Sequence, residues 1–483
     1  MKRKLLSLGL VAAMTVSLAA CGSGNGKETA KTDGDGEEKT LPTIDKINGD
    51  DYKDLKADIT ILTNRTDIVD DVYKGYADEF HKLYPNITVT YEGITDYAES
   101  VTLRLTNGDW GDICFIPDTV EKSEFSNYFI PLGDYTALNE KYNFVTEKTY
   151  DNKVYGVPNG GTAGGVAYNK KVWKEAGALK EDEDGNVILP KTPDEFLDAL
   201  KLIKEKTDVE APLYTNFAAG WTMGAWNDYV GIASNADPDY KNNRLLHTKD
   251  PFTKNDEMSG PYAVYYTLYE AVAQKLVEED PASSDWESSK TKINNGEIGA
   301  MVLGSWCVQQ FKDAGEHPED IGYMPFPITV NGKQAASSGG NYAYAINNQT
   351  SVDNQIASML YVKWLIEDST IFADEGSIPA KKGEELPDAL AEFQGVELLS
   401  DNAPAEGEES LYDDIRNRAE VLSGDTPVTE VLEAALYGSK TLDEMMGEWN
   451  EKWTSAQESE GAAVTYNADG TSIDGADSSS DSE

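Results

Sequence analysis

The chain has 483 residues, of which 86 are acidic and 41 are basic, and its formal net charge is −45. So negative a chain argues against nucleic acid and anionic lipid as partners, because both would repel it. The length exceeds what one hydrophobic core usually organises, so the sequence predicts two domains.

The amino-terminus has the pattern of a secreted lipoprotein. Three basic residues precede an apolar run over residues 5–18, and Leu-Ala-Ala then leads into Cys21. The run is too short and wrongly flanked for a membrane-spanning helix. We expect residues 1–20 to be a signal peptide and Cys21 to carry a diacylglyceryl group, whose two acyl chains anchor the protein. The alternative is an ordinary signal peptide that happens to contain a cysteine. The predicted location is the extracellular face of the cytoplasmic membrane of a Gram-positive cell.

Two segments that flank the middle of the chain contain few large apolar residues. Residues 21–51 are rich in Gly, Lys, Glu, Thr and Asp, and residues 458–483 are rich in Gly, Ser and Asp. Such segments bury too little apolar surface to order themselves, so we predict a flexible tether and a disordered acidic tail. Cys114 and Cys307 lie in separate apolar stretches, which favours buried free thiols over a disulfide.

Strands and helices alternate after the tether. Short apolar or alternating runs at residues 59–62, 87–91 and 111–117 predict strands, and apolar residues recur at helical spacing between them. This alternation predicts a parallel α/β sheet. Ligands bind beyond the carboxyl ends of such strands, so the loop of residues 63–67 and Asp118 are candidate ligand contacts.

A glycine-rich stretch follows at residues 157–165 and contains Gly160, Gly161 and Gly164. Its glycines allow the backbone to bend, and its spacing fits neither of the common phosphate-binding motifs. We therefore predict an inter-lobe hinge. The acidic segment at residues 182–186 lacks the spacing of a calcium loop and favours a hairpin turn, so no metal site is predicted.

The sequence contains none of the common catalytic or zinc-binding motifs, which argues against an enzyme and against a cofactor. Aromatic residues in loops are more informative, because a sugar ring binds to a flat aromatic wall and to polar side chains around it. The candidates are Trp221, Trp226, Trp306, Tyr342 and the adjacent Asn341. For each aromatic residue, packing in the core is an equally good explanation. Three other tryptophans, Trp110, Trp286 and Trp364, are assigned to the core or discounted.

Several segments together resemble the extracellular solute-binding proteins of ABC importers, specifically the sugar-binding family that includes maltose-binding protein. Besides the lipoprotein start, the matching segments are residues 59–67, 111–118 (GDICFIPD), 157–173 (VPNGGTAGGVAYNKKVW), 295–306 (NGEIGAMVLGSW), 338–346 (SGGNYAYAI) and 376–383 (GSIPAKKG). Their order and spacing are specific for the family, but not for its sugar.

The resemblance implies a type II periplasmic-binding-protein-like fold of the α/β class, with two lobes and a ligand cleft between them. The implied segments are 57–163 and 337–395 for the first lobe, and 164–336 and 396–457 for the second. It also implies a monomeric receptor without enzymatic activity. Such a receptor captures a carbohydrate, here an oligosaccharide, by hinge closure and delivers it to an ABC permease.

The resemblance also assigns roles to residues. Trp306 stands where the family places a tryptophan that stacks on sugar, and Asn64, Arg65 and Asp67 stand where it places polar contacts. Asp118 replaces an aromatic residue of maltose-binding proteins, which leaves the sugar open. Two alternatives remain: a cell-anchored glycosidase or lyase, and a receptor of the same fold for a non-sugar ligand.

Overall fold

The computed structural model describes residues 41–182, 187–393 and 395–473. The signal peptide, Cys21 and most of the predicted turn at residues 182–186 lie outside them. Within the described residues, the strands are β1 Ala57–Thr63, β2 Ile87–Gly93, β3 Ile113–Phe115, β4 Gly133–Asp134, β5 Thr149–Tyr150, β6 Lys153–Val154, β7 Val157–Pro158, β8 Gly161–Asn169, β9 Lys180–Glu181, β10 Val187–Ile188, β11 Ala211–Leu213, β12 Ile298–Gly304, β13 Ile321–Pro325, β14 Ala335–Gly340, β15 Ala343–Ile346 and β16 Glu397–Leu399.

The α-helices of the same residues range from single turns to about five turns. They are α1 Lys74–Leu83, α2 Tyr97–Asn107, α3 Phe125–Tyr128, α4 Tyr135–Lys141, α5 Lys170–Glu175, α6 Pro193–Lys206, α7 Trp221–Gly224, α8 Ile232–Asn235, α9 Gly260–Ala273, α10 Trp286–Asn294, α11 Cys307–Asp313, α12 Val352–Glu367, α13 Ile371–Asp374, α14 Leu411–Ala419, α15 Thr426–Tyr437 and α16 Leu442–Glu460. None of these helices is both long and apolar enough to cross a membrane.

The first large sheet has the strand order β2-β1-β3-β15-β7. β1 runs parallel to β2 and β3, and β15 runs antiparallel to β3. The strands and helices predicted between residues 59 and 117 are confirmed. The apolar stripe of α1, which includes Phe80, packs into the interior, as expected for an amphipathic helix. This sheet and its helices form lobe 1.

The second large sheet has the order β11-β12-β8-β14-β16, with β13 also paired to β8. Alternate residues of β12 face opposite cores: Ala300 and Val302 belong to a core with α6, α9, α15 and α16, whereas Met301 and Leu303 pack with α11. A strand covered on both faces needs apolar side chains on both, which explains its uninterrupted apolar sequence. This sheet and its helices form lobe 2.

The chain passes between the two sheets beside the predicted hinge. β7 lies in the first sheet and β8 in the second, and Asn159 and Gly160 join them. β14 and β15 are joined in the reverse direction by Asn341 and Tyr342. The crossing strands pair antiparallel, with Gly340 opposite Gly161. This is the two-lobed α/β fold of periplasmic binding proteins.

Two of the predicted hinge glycines have a steric role at the crossing. Gly160 has φ 125°, which side chains disfavour. A Cβ atom on Gly161 would lie 2.2 Å from Phe144 Cε2, so only glycine fits between β14 and this ring. Gly164 lies further inside β8, paired with Gly304, and is part of the second sheet rather than of the joint.

The ordered region extends further toward both ends of the chain than the sequence predicted. Ile44 is fully buried and donates its N–H to Leu132 O (2.8 Å), so the predicted tether cannot extend to residue 51. At the other end, α16 continues to Glu460, and Tyr466 donates its N–H to His247 O (3.0 Å). The predicted tail is therefore structured up to residue 473. In both places a few apolar or aromatic residues within polar sequence anchor the chain.

Candidate ligand-binding cleft

Trp306 lies directly beyond β12, where the predicted strand ends. Its backbone N–H donates to Thr162 Oγ1 of β8 (3.3 Å), and the preceding Ser305 N–H donates to Ala163 O (2.9 Å). Gly304 makes room for the indole, since a Cβ atom there would lie 2.7 Å from Trp306 Cδ1. Trp306 is therefore held next to the first crossing strand, at the boundary between the lobes.

Three tryptophans form a triangle on lobe 2. The ring centroids of Trp221 and Trp306 are 5.8 Å apart, those of Trp286 and Trp306 are 5.7 Å apart, and those of Trp221 and Trp286 are 5.3 Å apart. Trp221 is 45% exposed, and the other two are half-buried. We call these three residues the tryptophan triangle. It is a rigid, partly exposed aromatic surface.

Sequence reasoning was wrong for one tryptophan and incomplete for another. Trp286 was assigned to the core and does pack against a buried cluster of lobe 2, and as the first residue of α10, after the N-cap Asp285, it also joins the triangle. Trp226 was a candidate ligand contact, but it is 2% exposed and packs edge-on against Phe326. It belongs to the core of lobe 2. Trp110 is also 2% exposed, in agreement with its discounting as a ligand contact.

The loop after β1 forms a charged group at the edge of lobe 1. The Arg65 guanidinium donates to both carboxylate oxygens of Asp67 (2.9 Å each) and to Glu375 beyond α13. Burial alone would raise the pKa of Asp67, but its bond to Arg65 keeps that pKa below the usual range. Burial raises the pKa of Glu375 even though Arg65 lies beside it. Asn64, half-buried, turns the chain here by accepting the Thr66 N–H (3.1 Å).

This loop lies near the helix that carries Trp286 of the tryptophan triangle. The positive charge of Lys290, on α10 of lobe 2, also lowers the pKa of Asp67. Lys290 Nζ lies 5.0 Å from the centre of the Trp286 ring. A Cβ atom on Gly376 of lobe 1 would lie 3.5 Å from Gln309 Cβ on α11. The loop after β1 and the first turns of α10 and α11 thus border the same opening.

The predicted contacts Asn341 and Tyr342 lie on the second crossing. Asn341 donates its N–H to Gly160 O (2.8 Å), which ties the two crossings together. The Tyr342 ring stacks on Phe115 with centroids 5.6 Å apart and 11° between the planes. Tyr342 is half-buried, so one part of the ring still faces outward from the end of β3.

Asp118 follows β3 and is strongly exposed on lobe 1. Its side chain is 85% exposed and pairs with Lys148 Nζ (2.9 Å). The neighbouring Glu147 accepts the Gly340 N–H (2.8 Å) from the second crossing strand. Glu147 is exposed, yet burial by the surrounding protein raises its pKa.

Lobe 2 presents a matching charged group, which sequence reasoning missed. Asp228 is also exposed with a pKa raised by burial, and the charges of Asp401 and of Asp118 on lobe 1 raise it further. Lys241 Nζ lies 3.6 Å from Asp401 and 5.6 Å from the centre of the Tyr412 ring. In a chain with 86 acidic residues, no local pattern distinguishes these from other surface charges.

The tryptophan triangle and the charged group around Asp228 are close together in the chain. Trp221 and Asp228 lie seven positions apart on the same short segment of lobe 2, which therefore connects the tryptophan triangle to the charged group. The charges of Asp118 and Asp228 interact across the gap between the lobes, as do those of Lys122 and Asp413. Charged side chains of both lobes therefore lie near the segment that carries Trp221.

Comparison with known proteins identifies the family. A model of the family described as bacterial extracellular solute-binding protein matches residues 66–370. The chain belongs to this family.

Two solved structures of solute-binding proteins from Bifidobacterium animalis subsp. lactis are each 46% identical to this chain. One is a binding protein of an ABC transporter in complex with mannobiose, with a TM-score of 0.81. The other is a manno-oligosaccharide specific protein in complex with mannotriose, with a TM-score of 0.80. Each alignment covers 86% of this chain and 99% of the solved one.

A more distant relative is the maltooligosaccharide ABC transporter solute-binding lipoprotein of Streptococcus pneumoniae. It is 24% identical over 77% of this chain and 79% of its own length. The solute-binding proteins to which this chain is similar therefore carry different sugars in their names.

The solute-binding architecture explains which predicted residues come together. Trp221 and Trp306 come together in the tryptophan triangle, Asn64, Arg65 and Asp67 share one loop of lobe 1, and Trp226 is buried in the core of lobe 2. Cys114 and Cys307 are buried and free, as predicted, and burial raises their pKa. Among the described residues, one exposed group, His317, Glu319 and Asp320, has the spacing of a metal site, and it lies outside the cleft residues named above.

Proposed function

We propose that this protein captures a manno-oligosaccharide in the cleft between its lobes and delivers it to the permease of an ABC transporter. The mannobiose and mannotriose complexes of the two 46% identical proteins support this class of sugar. The observation in this chain that carries a carbohydrate ligand is the tryptophan triangle, which faces a polar group of Asp, Glu and Lys side chains along one cleft.

The two ends of the cleft suit the two kinds of surface on a sugar. The C–H face of a pyranose ring packs on an aromatic ring, which contributes about 0.5–1.5 kcal/mol beyond the area buried. Carboxylates accept hydrogen bonds from adjacent hydroxyls, and exposed carboxylates that are already partly desolvated lose less hydration when a ligand binds. A micromolar ligand needs about 8 kcal/mol in all, so two stacked rings supply a substantial part.

The mechanism we propose is hinge closure over the bound sugar. Lobe 1 contributes Asp118, Glu147 and the loop after β1, and lobe 2 contributes the triangle and Asp228. A ligand shifts an open–closed equilibrium only by binding the closed state more tightly, and a cleft lined from both lobes provides that difference. We place the moving joint at residues 159–160 and 341–342, close to the lobe boundaries expected from the sequence.

The setting that goes with this function is also part of the proposal. We propose a monomeric, non-enzymatic receptor held at the outer face of a Gram-positive membrane by a diacylglyceryl group on Cys21. The word lipoprotein in the name of the pneumococcal relative supports the anchor. Radiolabelled palmitate incorporated into the full-length chain, but not into Cys21→Ala, is the expected result. Equal labelling of both would contradict the anchor.

The sugar class is tested by thermal unfolding in the presence of a panel of oligosaccharides. A ligand at 100 times its Kd stabilises the folded state by about 2.7 kcal/mol, so mannobiose and mannotriose should raise the melting temperature by several degrees. Maltotriose and diacetylchitobiose serve as matched controls and should not. A shift with a control sugar alone would contradict the mannose assignment, and hydrolysis of any bound sugar would contradict the non-enzymatic role.

A further inference from the structure

The carboxylate of Glu278 is buried next to the start of the loop that carries Trp221. Glu278 is 4% exposed, and its neighbouring segment lies beside β11, where Leu213 N–H donates to Leu276 O (3.0 Å). Three donor contacts converge on its carboxylate from Thr215: the N–H reaches both oxygens (3.1 and 2.9 Å), and Oγ1 reaches Oε1 (2.6 Å). An unpaired buried carboxylate is costly, so these donors fix the start of the loop.

Further hydrogen bonds connect the residue after Thr215 to the segments that carry the tryptophans. Asn216, the next residue, is 1% exposed and has φ 54°. Its carbonyl accepts Thr222 Oγ1 (2.8 Å), which fixes the residue beside Trp221. Its side-chain Nδ2 donates to Ser289 Oγ (3.3 Å) on α10, the helix that begins with Trp286. These buried hydrogen bonds therefore join the two segments that carry Trp221 and Trp286.

We propose that Glu278 is a positioning residue for ligand binding, which holds Trp221 and Trp286 in the arrangement that receives the sugar ring. The proposal rests on the proposed function for its effect on affinity, but its effect on the triangle does not depend on any ligand. The carboxylate is suited to this role because it offers acceptors only, to neighbours that are donors. Pre-ordering the aromatic rings lowers the entropic cost of binding.

The test is Glu278→Gln, which keeps the side-chain volume but turns an amide NH2 group toward the Thr215 donors. Indoles this close couple in the near-ultraviolet, so circular dichroism of the sugar-free protein reports the triangle. We expect that spectrum to change and the Kd for mannotriose, measured by calorimetry, to rise at least tenfold. The far-ultraviolet spectrum should stay that of a folded protein.

The matched control is Glu392→Gln, another glutamate with a raised pKa, whose carboxylate accepts the hydroxyl of Tyr168 on β8 (2.9 Å) rather than a donor of the triangle segments. It should leave the near-ultraviolet spectrum unchanged and affinity within twofold. If Glu278→Gln does not fold, Thr215→Val keeps the volume and the N–H but removes the hydroxyl donor, and it should change both readouts in the same direction.

The proposal is overturned if the folded variant binds mannotriose within twofold of the parent, whatever its spectrum. It is equally overturned if the near-ultraviolet spectrum of the sugar-free variant is unchanged. Should the parent protein bind no sugar, the proposed function fails by itself. The spectrum of the sugar-free protein then still decides whether Glu278 arranges the triangle.

Discussion

At the scale of single residues, the position of Trp306 results from its two neighbours in sequence and from β8. Gly304 leaves space for the indole, and Ser305 ties the turn to the first crossing strand. We expect Trp306→Ala to raise the Kd for mannotriose at least tenfold, because it removes the ring that joins Trp221 to the crossing. Trp306→Phe, which keeps a flat ring, should lose less. Calorimetry that finds unchanged affinity for the alanine variant would remove Trp306 from the site.

The raised pKa of Asp228 allows a test of the charged group on lobe 2, because it links the stability of the protein to pH. Burial raises that pKa in the folded protein, so the ionised carboxylate opposes folding at pH values above it. As the pH falls through the raised pKa, the folded state takes up a proton and this destabilisation disappears. We therefore expect Asp228→Asn to raise the melting temperature at neutral pH, with a smaller gain at mildly acidic pH, and to weaken mannotriose binding.

The control for Asp228 is Asp78→Asn, since Asp78 is an exposed residue of α1 paired with Lys74 (2.6 Å). An exposed pair of this kind contributes little, so the melting temperature should hardly change and mannotriose binding should not change. A melting temperature of Asp228→Asn at or below that of the parent at neutral pH would contradict the desolvated cleft.

The residue-level predictions rested on local rules. Trp306 was nominated because it follows a buried strand, and Trp221 because its loop is rich in small residues, and the structure brings the two rings together. Trp226 is instead buried, because the same loop turns back into the core within five residues. Trp286 was assigned to the core, where it packs in part, but its contact with the other two tryptophans had no signal except its place next to the N-cap Asp285. Buried acids such as Glu278 give no local signal at all.

At the scale of elements, the crossing strands depend on glycine for their packing. A Cβ atom on Gly161 would lie 2.2 Å from Phe144 Cε2 and 2.7 Å from Phe144 Cζ. We expect Gly161→Ala to lower the free energy of unfolding by about 1–3 kcal/mol, as overpacking does. Chemical denaturation measures this.

The contrast for Gly161 is Gly75→Ala in α1, where a Cβ atom would meet nothing within 4 Å. In a helix this change should stabilise by about 0.5–1 kcal/mol. If the two alanine variants are equally stable, the close approach at the crossing does not constrain the protein.

Element prediction was accurate for the first lobe and incomplete elsewhere. The alternation from β1 to β3 was readable because each helix has one apolar stripe and each strand is short and apolar. The pairing of β8 with β14 joins residues far apart in sequence, so no local pattern reports it. The same holds for the carboxyl-terminal segment, where Tyr466 meets His247. Its polar composition predicted disorder, but a few backbone contacts with a distant loop keep the segment ordered.

At the scale of the whole molecule, two sheets joined beside glycine-rich crossings place an aromatic surface and a charged surface on one cleft. Family resemblance predicted this architecture from the order of its segments. It could not predict which charges face each other, because Asp118 and Asp228 are brought together only by the packing of the lobes. The pairing of charges across the lobes is thus a property of the assembled molecule rather than of any motif.

The most direct measurement is calorimetric titration of the sugar-free protein with mannotriose, with maltotriose as the matched control. We expect one site per chain, a Kd in the micromolar range or tighter, and a negative heat-capacity change from burial of apolar surface against the tryptophans. Saturation with maltotriose but not with mannotriose, or no heat of binding from either sugar, would contradict this expectation.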